Sequence, residues 1–317
     1  KDRIYVASYD GKLYVIDESF SARKFSLGVN AERLITLQGE IIALNSSLDR
    51  IQVIDIRNSN APEVIGLFNY DLGSDVSNAV IVDGKIWLGS DHGKIIQIIR
   101  NDYSAEKLYE TDRARGYIND LDIDNGIFAA AAGQYGSISV APNADGQWGQ
   151  SVYPSAYTSF INAIAIDNGR KYILRSDTNS IVEVYSSGSS KVVLSGKEFT
   201  QLHITDEKIV ASVGDTLYAV SRANNSHKAE FTVNNGDEII AISSAGESLL
   251  VSTINGTIYR VDLGNFPVDT DLVKVKPEVS TNEAVRAIVS DSDFVYYAVD
   301  TVLYKQRLSD GDVTSAD

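Results

Sequence analysis

The sequence predicts an all-β fold built from repeated sheets. A phrase of strand, tight turn and strand recurs eight times, and 36 to 45 residues separate consecutive turns. The turns fall at Gly11, Asp49, Gly93, Gly136, Asn179, Asp215, Gly256 and Thr301. Several short strands in each period of about 40–45 residues are typical of a β-propeller, an array of four-stranded blades around a central channel. No helical periodicity competes with this pattern, so we predict eight blades, with seven as the alternative.

The turn residues and the strand composition support this architecture independently of the spacing. The clearest turns carry Asp-Gly at 10–11, His-Gly at 92–93, Tyr-Gly at 135–136 and Asn-Gly at 255–256. Such pairs suit tight hairpins, which need a residue with positive φ. Continuous apolar runs such as 163–166 are typical of strands covered on both faces, as blade sheets are by their neighbours.

One domain is predicted over 1–317, with each blade after the first reading as four strands from the channel outward. In chain order the predicted blades cover 4–30, 31–72, 76–114, 117–156, 160–198, 199–235, 237–280 and 284–317. The first blade lacks its inner strand and keeps only Ile4–Ser8, Leu13–Asp17 and Lys24–Leu27. Either upstream residues have been removed, or this blade has three strands, or the segment after Leu308 closes the ring.

Charge and composition exclude several classes of function. A net charge of −15 disfavours nonspecific binding to nucleic acid and to anionic membranes, which both depend on Lys and Arg. No apolar run approaches the roughly 18 residues that span a bilayer, so no membrane insertion is expected. The chain has neither Cys nor Met, which excludes disulfides and thiolate metal sites. An exported protein whose leader has been removed fits this composition, so we expect an extracytoplasmic location; lineage composition or trimming is the alternative.

A polar column opens the predicted inner strands. Its residues are Arg33, Asn78, Asn119, Asn162, Gln201, Ile240 and Arg286. Six of the seven are neutral polar or cationic in an otherwise acidic chain, at the end of the blades that also carries the hairpins. One interpretation is a ring of hydrogen-bond donors for a small polar or anionic ligand or for a partner's loop. The other is that these side chains satisfy backbone groups and ordered water at a narrow channel.

Two carboxylates stand inside a strand that is expected to be covered on both faces. Asp120 and Asp122 occupy positions where the next blade has Ala163 and Ala165. Burying each costs several kcal/mol unless it is paired or metal-bound. An EF-hand loop is excluded because Asn125 stands where that loop needs Gly. A weak cation site or a contact with a partner's Arg therefore competes with a hydrated channel-lining pair, and no metal site is predicted.

No catalytic residues are predicted. The three histidines, His92, His203 and His227, share no repeated spacing, which disfavours zinc binding and a Ser-His-Asp arrangement. His203, in an apolar column, is expected to be a core residue. Trp148 and Tyr9 are the aromatic residues that we expect to contact a partner.

Three segments resemble propeller repeats of known families. Residues 4–17 resemble the repeat of quinoprotein-like and YncE-like propellers, 51–66 the LVIVD repeat of bacterial and archaeal surface propellers, and 86–93 the propeller repeat of two-component sensors. No Gly-His and Trp-Asp pair of the WD40 kind is present. The quinoprotein repeat continues with Thr-Gly and a docking Trp, and Glu18–Phe25 carries neither, so no cofactor is expected.

The sequence therefore favours a non-enzymatic scaffold that docks another protein through its hairpin face, the end of the blades with the hairpins between second and third strands. Many loops on one rigid disc give a broad interface without a catalytic group. The alternative is a ligand-binding or ligand-processing propeller, such as a glycan lyase, a hydrolase or a sensor, that uses the polar hub.

Overall fold

The computed structural model of the protein contains strands in every predicted period. It describes residues 3–8, 11–17, 19, 21–28, 31, 33–37, 39–45, 50–69, 76–82, 85–90, 94–99, 104–110, 118–124, 127–133, 136–142, 148–153, 160–185, 187–225, 228–233, 236–245, 248–263, 272–275, 285, 288–290, 293–299, 302–307, 309 and 313–316. These residues form 31 strands and no α-helix. Within the same ranges there is accordingly no helix that could span a membrane.

The chain divides into two compact units, Lys1–Ser195 and Gly196–Asp317. Each unit is a series of antiparallel sheets in which consecutive strands pair with each other. The prediction of one domain over 1–317 stays a prediction.

The first unit holds one three-stranded sheet followed by four four-stranded sheets. The first three sheets comprise β1 (Ile4–Ser8), β2 (Lys12–Ile16) and β3 (Ala22–Ser26); β4 (Arg33–Leu37), β5 (Glu40–Asn45), β6 (Arg50–Asp55) and β7 (Glu63–Asn69); and β8 (Val76–Val82), β9 (Lys85–Ser90), β10 (Lys94–Ile99) and β11 (Ser104–Glu110). The next two comprise β12 (Asp120–Asp124), β13 (Ile127–Ala131), β14 (Ser137–Pro142) and β15 (Trp148–Tyr153); and β16 (Ile161–Asp167), β17 (Arg170–Arg175), β18 (Ser180–Val184) and β19 (Ser190–Ser195).

The second unit holds three four-stranded sheets. They comprise β20 (Gln201–Ile204), β21 (Lys208–Val213), β22 (Thr216–Ser221) and β23 (Lys228–Thr232); β24 (Ile239–Ala245), β25 (Ser248–Thr253), β26 (Ile258–Asp262) and β27 (Leu272–Val275); and β28 (Ile288–Ser290), β29 (Phe294–Val299), β30 (Val302–Arg307) and β31 (Val313–Ala316). The described residues thus form eight sheets, numbered here one to eight in chain order. The three strands predicted for the first period are confirmed, and the blade count stays a prediction.

Alternate residues of the middle strands pack against opposite neighbouring sheets, as the apolar runs predicted. On β5, Ile41 and Ala43 join a core with Leu13 and Val15 of the first sheet. Ile42 and Leu44 join a second core with the third sheet. Because a strand alternates its side chains, burial on both faces requires an unbroken apolar run. Shared cores of this kind link consecutive sheets in each unit.

The predicted hairpin turns are confirmed where the structure describes them. Gly11, Gly136 and Gly256 have φ of 79°, 86° and 81°, and Asn179 has φ of 48°. Positive φ is the backbone conformation that glycine adopts without strain and asparagine tolerates. The predicted turn positions Asp49, Gly93 and Thr301 lie outside the described residues.

Close packing of side chains from the next sheet explains the glycine at position 89. A Cβ added to Gly89 on β9 would lie 2.5 Å from Cγ2 of Ile118, the residue that leads into β12 of the next sheet. Ile118 is fully buried, and its N–H donates to the carbonyl of Ser90 at 3.0 Å. The third and fourth sheets therefore meet too closely for a side chain at position 89.

Candidate functional site

The first strands of consecutive sheets lie side by side. In the first unit β12 contacts both β8 and β16, and in the second unit β24 contacts β28. These are the strands that the sequence placed at the channel. They contact one another without forming a β-ladder, so other groups must satisfy the main chain between them.

Carboxylates join β12 to β16. The N–H of Ile164 donates to Oδ2 of Asp120 at 3.0 Å, and the N–H of Ile166 donates to Oδ2 of Asp122 at 2.8 Å. Each Asp also accepts, at Oδ1, the N–H of the residue that follows it. Asp124 continues the row by accepting from the N–H of Gly169 at 3.3 Å. We call these three carboxylates, together with the main-chain N–H groups of Ile164, Ile166 and Gly169 that donate to them, the β12–β16 junction.

The main chain is therefore the partner that these two carboxylates required. Charge-assisted bonds from main-chain N–H offset the cost of removing a carboxylate from water. At Asp122 burial still dominates and raises the pKa of the carboxyl above its ordinary value. The bonds from Ile166 and Ile123 lower that pKa, and the charges of Asp124 and Asp167 raise it further. Among the described residues no group of three acidic or histidine side chains could hold a metal ion.

An exposed aromatic residue lies beside the predicted polar column. Phe160, directly before β16, is 51% exposed. Its carbonyl accepts the N–H of Ser176, in the turn between β17 and β18, at 2.9 Å, which places Phe160 on the hairpin face. Asn119 and Asn162 are also exposed, and Nδ2 of Asn119 donates to the carbonyl of Ile161 at 2.9 Å. We call Asn119, Phe160 and Asn162 the Phe160 patch.

Neutral side chains join the first strands of the second unit. Nε2 of His203 on β20 lies 2.7 Å from Oγ of Ser244 on β24, and Oγ of Ser290 on β28 donates to the carbonyl of Ser244 at 2.7 Å. Burial lowers the pKa of the His203 imidazole, which keeps it neutral at pH 7. We call these three residues the Ser244 junction. His203 thus has a side-chain partner but is half-buried, whereas its apolar column had predicted a core residue.

The structure describes only some of the predicted binding residues, and their binding role stays a prediction. Asn119 and Asn162 are exposed at the starts of the neighbouring strands β12 and β16, while Gln201, at the start of β20, and Ile240 are half-buried. The backbones of Arg33, Asn78 and Trp148 lie in β4, β8 and β15, but their side chains, and the whole of Tyr9 and Arg286, fall outside the described residues. Of the other two histidines, neither His92 nor His227 is described.

Sequence reasoning missed two exposed apolar residues, one in each unit, at or beside a hairpin between the second and third strands of a sheet. Phe160 belongs to the first unit, and Ile254, in the turn between β25 and β26 of the second, is 42% exposed. A signal was present for Phe160, because the triplet aromatic-Ile-Asn occurs at both 117–119 and 160–162. The predicted polar column lies two residues after the aromatic position and so did not include it. Ile254 has no equivalent signal, since the neighbouring turns carry unrelated residues there.

Comparison with known proteins identifies the fold. No protein-family model matches the chain, and no curated protein matches it either. Many solved structures do match, all of the three below at 14% identity or less. At such identity the likeness concerns the fold alone.

Three of these structures show the range of similar proteins. Virginiamycin B lyase from Staphylococcus aureus has a TM-score of 0.62 and 13% identity, covering 84% of this chain and 90% of the lyase. The extracellular domain of the putative hybrid two-component system BT4673 from B. thetaiotaomicron has a TM-score of 0.63 and 14% identity. The match covers 96% of this chain and 45% of that protein. The β-propeller domain of Cps50 (Swd1) from Myceliophteria thermophila has a TM-score of 0.54 and 12% identity. The match covers 76% of this chain and 88% of that domain.

The chain is therefore a β-propeller protein, and the solved structures it is similar to include a lyase and the extracellular domain of a two-component system. The four-stranded antiparallel sheets with their shared cores indicate a β-propeller, and the similar solved structures have the same fold. A propeller fold supports many unrelated activities, so function has to be argued from the residues.

Proposed function

We propose that this protein is a non-enzymatic scaffold that docks another protein through its hairpin face. The observation that carries the proposal is the Phe160 patch, in which an aromatic residue that is 51% exposed lies near two exposed asparagines in the chain and across the β12–β16 contact. Aromatic residues with polar neighbours are typical of interface anchors. Asn119 and Asn162 supply hydrogen-bonding groups around that anchor.

The remaining predicted contacts complete the proposed interface. They are Arg33, Asn78, Gln201, Arg286, Trp148 and Tyr9. Cationic and neutral polar groups at this end suit an acidic or polar partner surface, whereas the net charge of −15 disfavours nucleic acid. An extracytoplasmic location is part of the proposal, and the similarity to an extracellular sensor domain supports it.

A ligand-binding or ligand-processing role is the second candidate. It is favoured by the His203–Ser244 contact, since a neutral imidazole beside a hydroxyl is a pair that base-assisted chemistry uses. Similarity to a lyase points the same way. Docking is preferred because this contact belongs to a series of bonds between first strands, which gives it a sufficient structural role.

Site-specific photo-crosslinking in the native host tests the docking proposal. A photoreactive phenylalanine analogue at position 160 is expected to form a discrete adduct with one partner protein. The matched control places the analogue at Val192, which is 56% exposed but lies on the outer strand β19. Adducts at 192 equal to those at 160, or no adduct at 160, would exclude the hairpin face as the interface.

A further inference from the structure

Two buried polar side chains in the eighth sheet have unmet hydrogen-bonding capacity. Gln306 is 0% exposed, and neither Nε2 nor Oε1 of its amide has a hydrogen-bond partner in the described part of the chain. Tyr297 is 1% exposed, and its hydroxyl is unpartnered in the same sense. A buried polar atom without a partner is unfavourable because it loses its hydrogen bonds to water, so three such atoms together call for an explanation.

The register of the sheet places Tyr297 and Gln306 on the same face of the eighth sheet. β29 and β30 pair Val295 with Gln306 and Tyr297 with Tyr304. Tyr297 and Gln306 are therefore diagonal neighbours on one face, a relation in which Cα atoms lie about 7–8 Å apart and long side chains can meet. Tyr304 stacks on Tyr297 with ring centroids 5.2 Å apart, which holds the Tyr297 ring in position.

The surroundings of this pair are apolar. The same face packs against Leu250 and Ile258 of the seventh sheet and against Val285. Burial raises the pKa of the Tyr297 hydroxyl, so this group is a neutral donor and acceptor at physiological pH. The three atoms together supply donors and acceptors for a small neutral ligand that forms two to four hydrogen bonds.

We propose that an internal water site lies between the seventh and eighth sheets, where Gln306 and Tyr297 hold one or two ordered water molecules. Buried water in proteins typically forms about three hydrogen bonds to polar groups that have no other partner, which matches the three atoms here. A bridging water costs little to immobilise and returns most of the enthalpy of a direct bond. Ordered water molecules would then be a structural part of the core between the seventh and eighth sheets.

A crystal structure at a resolution that orders internal solvent tests the site directly. We expect a density peak within about 3.2 Å of the Gln306 amide and the Tyr297 hydroxyl. A direct bond between the two side chains, or to another protein group, with no such peak would overturn the proposal.

Thermal unfolding gives an independent test through the variants Tyr297→Phe, Gln306→Leu and the double variant. With bound water both single variants lower Tm by several degrees, and the double variant loses less than the sum because the same water is lost. Without it, replacing unpartnered polar atoms by apolar ones raises Tm, which would overturn the proposal. Tyr304→Phe is the control, since it keeps the stacked ring and removes a hydroxyl from a half-buried residue. Should Gln306→Leu fail to fold, the crystal structure of the unmodified protein decides alone.

Discussion

The β12–β16 junction and the Ser244 junction solve the same structural problem with different chemistry. Both join first strands that lie side by side without a β-ladder. The first uses carboxylates that accept main-chain N–H groups 44 residues away, as Asp120 does from Ile164. The second uses an imidazole and two hydroxyls, as in the 2.7 Å contact between His203 and Ser244. A charged junction is strong but carries a desolvation cost, whereas a neutral one is weaker and loses its neutrality only in acid.

The largest effect is expected from removing the charged junction. The double variant Asp120→Ala with Asp122→Ala should lower the free energy of unfolding by about 3 kcal/mol. Four main-chain N–H groups lose an acceptor, and relief of the two buried charges returns only part of that loss. Urea unfolding at pH 7 measures the change.

The control for this variant is Asp177→Ala, which breaks an ion pair with Arg175 in the turn after β17. That change should stay within about 0.5 kcal/mol, as partly exposed ion pairs do. A loss below about 1 kcal/mol for the double variant would mean that the carboxylates are not what joins these strands.

The next effect distinguishes the two junctions by the sign of their pH dependence. The raised pKa of Asp122 means that the folded state binds a proton before the unfolded state does. Stability attributable to this group should therefore rise as pH falls from the raised folded value towards the ordinary value of about 3.8. The slope for one proton is at most about 1.4 kcal/mol per pH unit.

Asp122→Asn isolates that contribution, because an amide does not titrate. Other carboxylates, such as Asp55, whose pKa is lowered to about 2 by Arg57, titrate alike in both proteins and cancel in the difference. Asn keeps one oxygen acceptor and turns an N–H₂ group towards a main-chain donor, so the variant starts less stable at pH 7. Urea unfolding between pH 7 and 4 should show the stability gap widening in acid. A stability difference between the two proteins that narrows in acid would mean that folding lowers the pKa of Asp122 instead of raising it.

Local sequence pattern was sufficient to predict the sheets. Strand alternation, apolar runs and Gly turns act within a few residues, so the positions of Gly136 and Gly256 could be predicted without any knowledge of packing. The same local pattern was sufficient to predict that Asp120 and Asp122 lie in a strand that neighbouring sheets cover on both faces. What the sequence could not supply was their partner, because the N–H groups of Ile164 and Ile166 carry no side-chain signature and lie in another sheet. Phe160 shows the same limit, since exposure depends on what surrounds a residue in space.

The smallest effect is expected at the Ser244 junction, and its sign should oppose that at Asp122. His203→Ala removes one hydrogen bond and should lower the free energy of unfolding by about 1 kcal/mol at pH 7. Because burial lowers the pKa of His203, the unfolded state takes up its proton first as pH falls below the ordinary value of 6.5. The unmodified protein should then lose stability from about pH 6.5 downwards until the folded imidazole also titrates, while the variant lacks that loss. Urea unfolding from pH 8 to 5 compares the two, with Ser290→Ala as the control that leaves His203 in place and retains the pH response. If the free energy of unfolding changed with pH in the same way for His203→Ala and the unmodified protein, the imidazole would be as hydrated as a surface histidine. The contrast between the charged and the neutral junction would then depend on Asp122 alone.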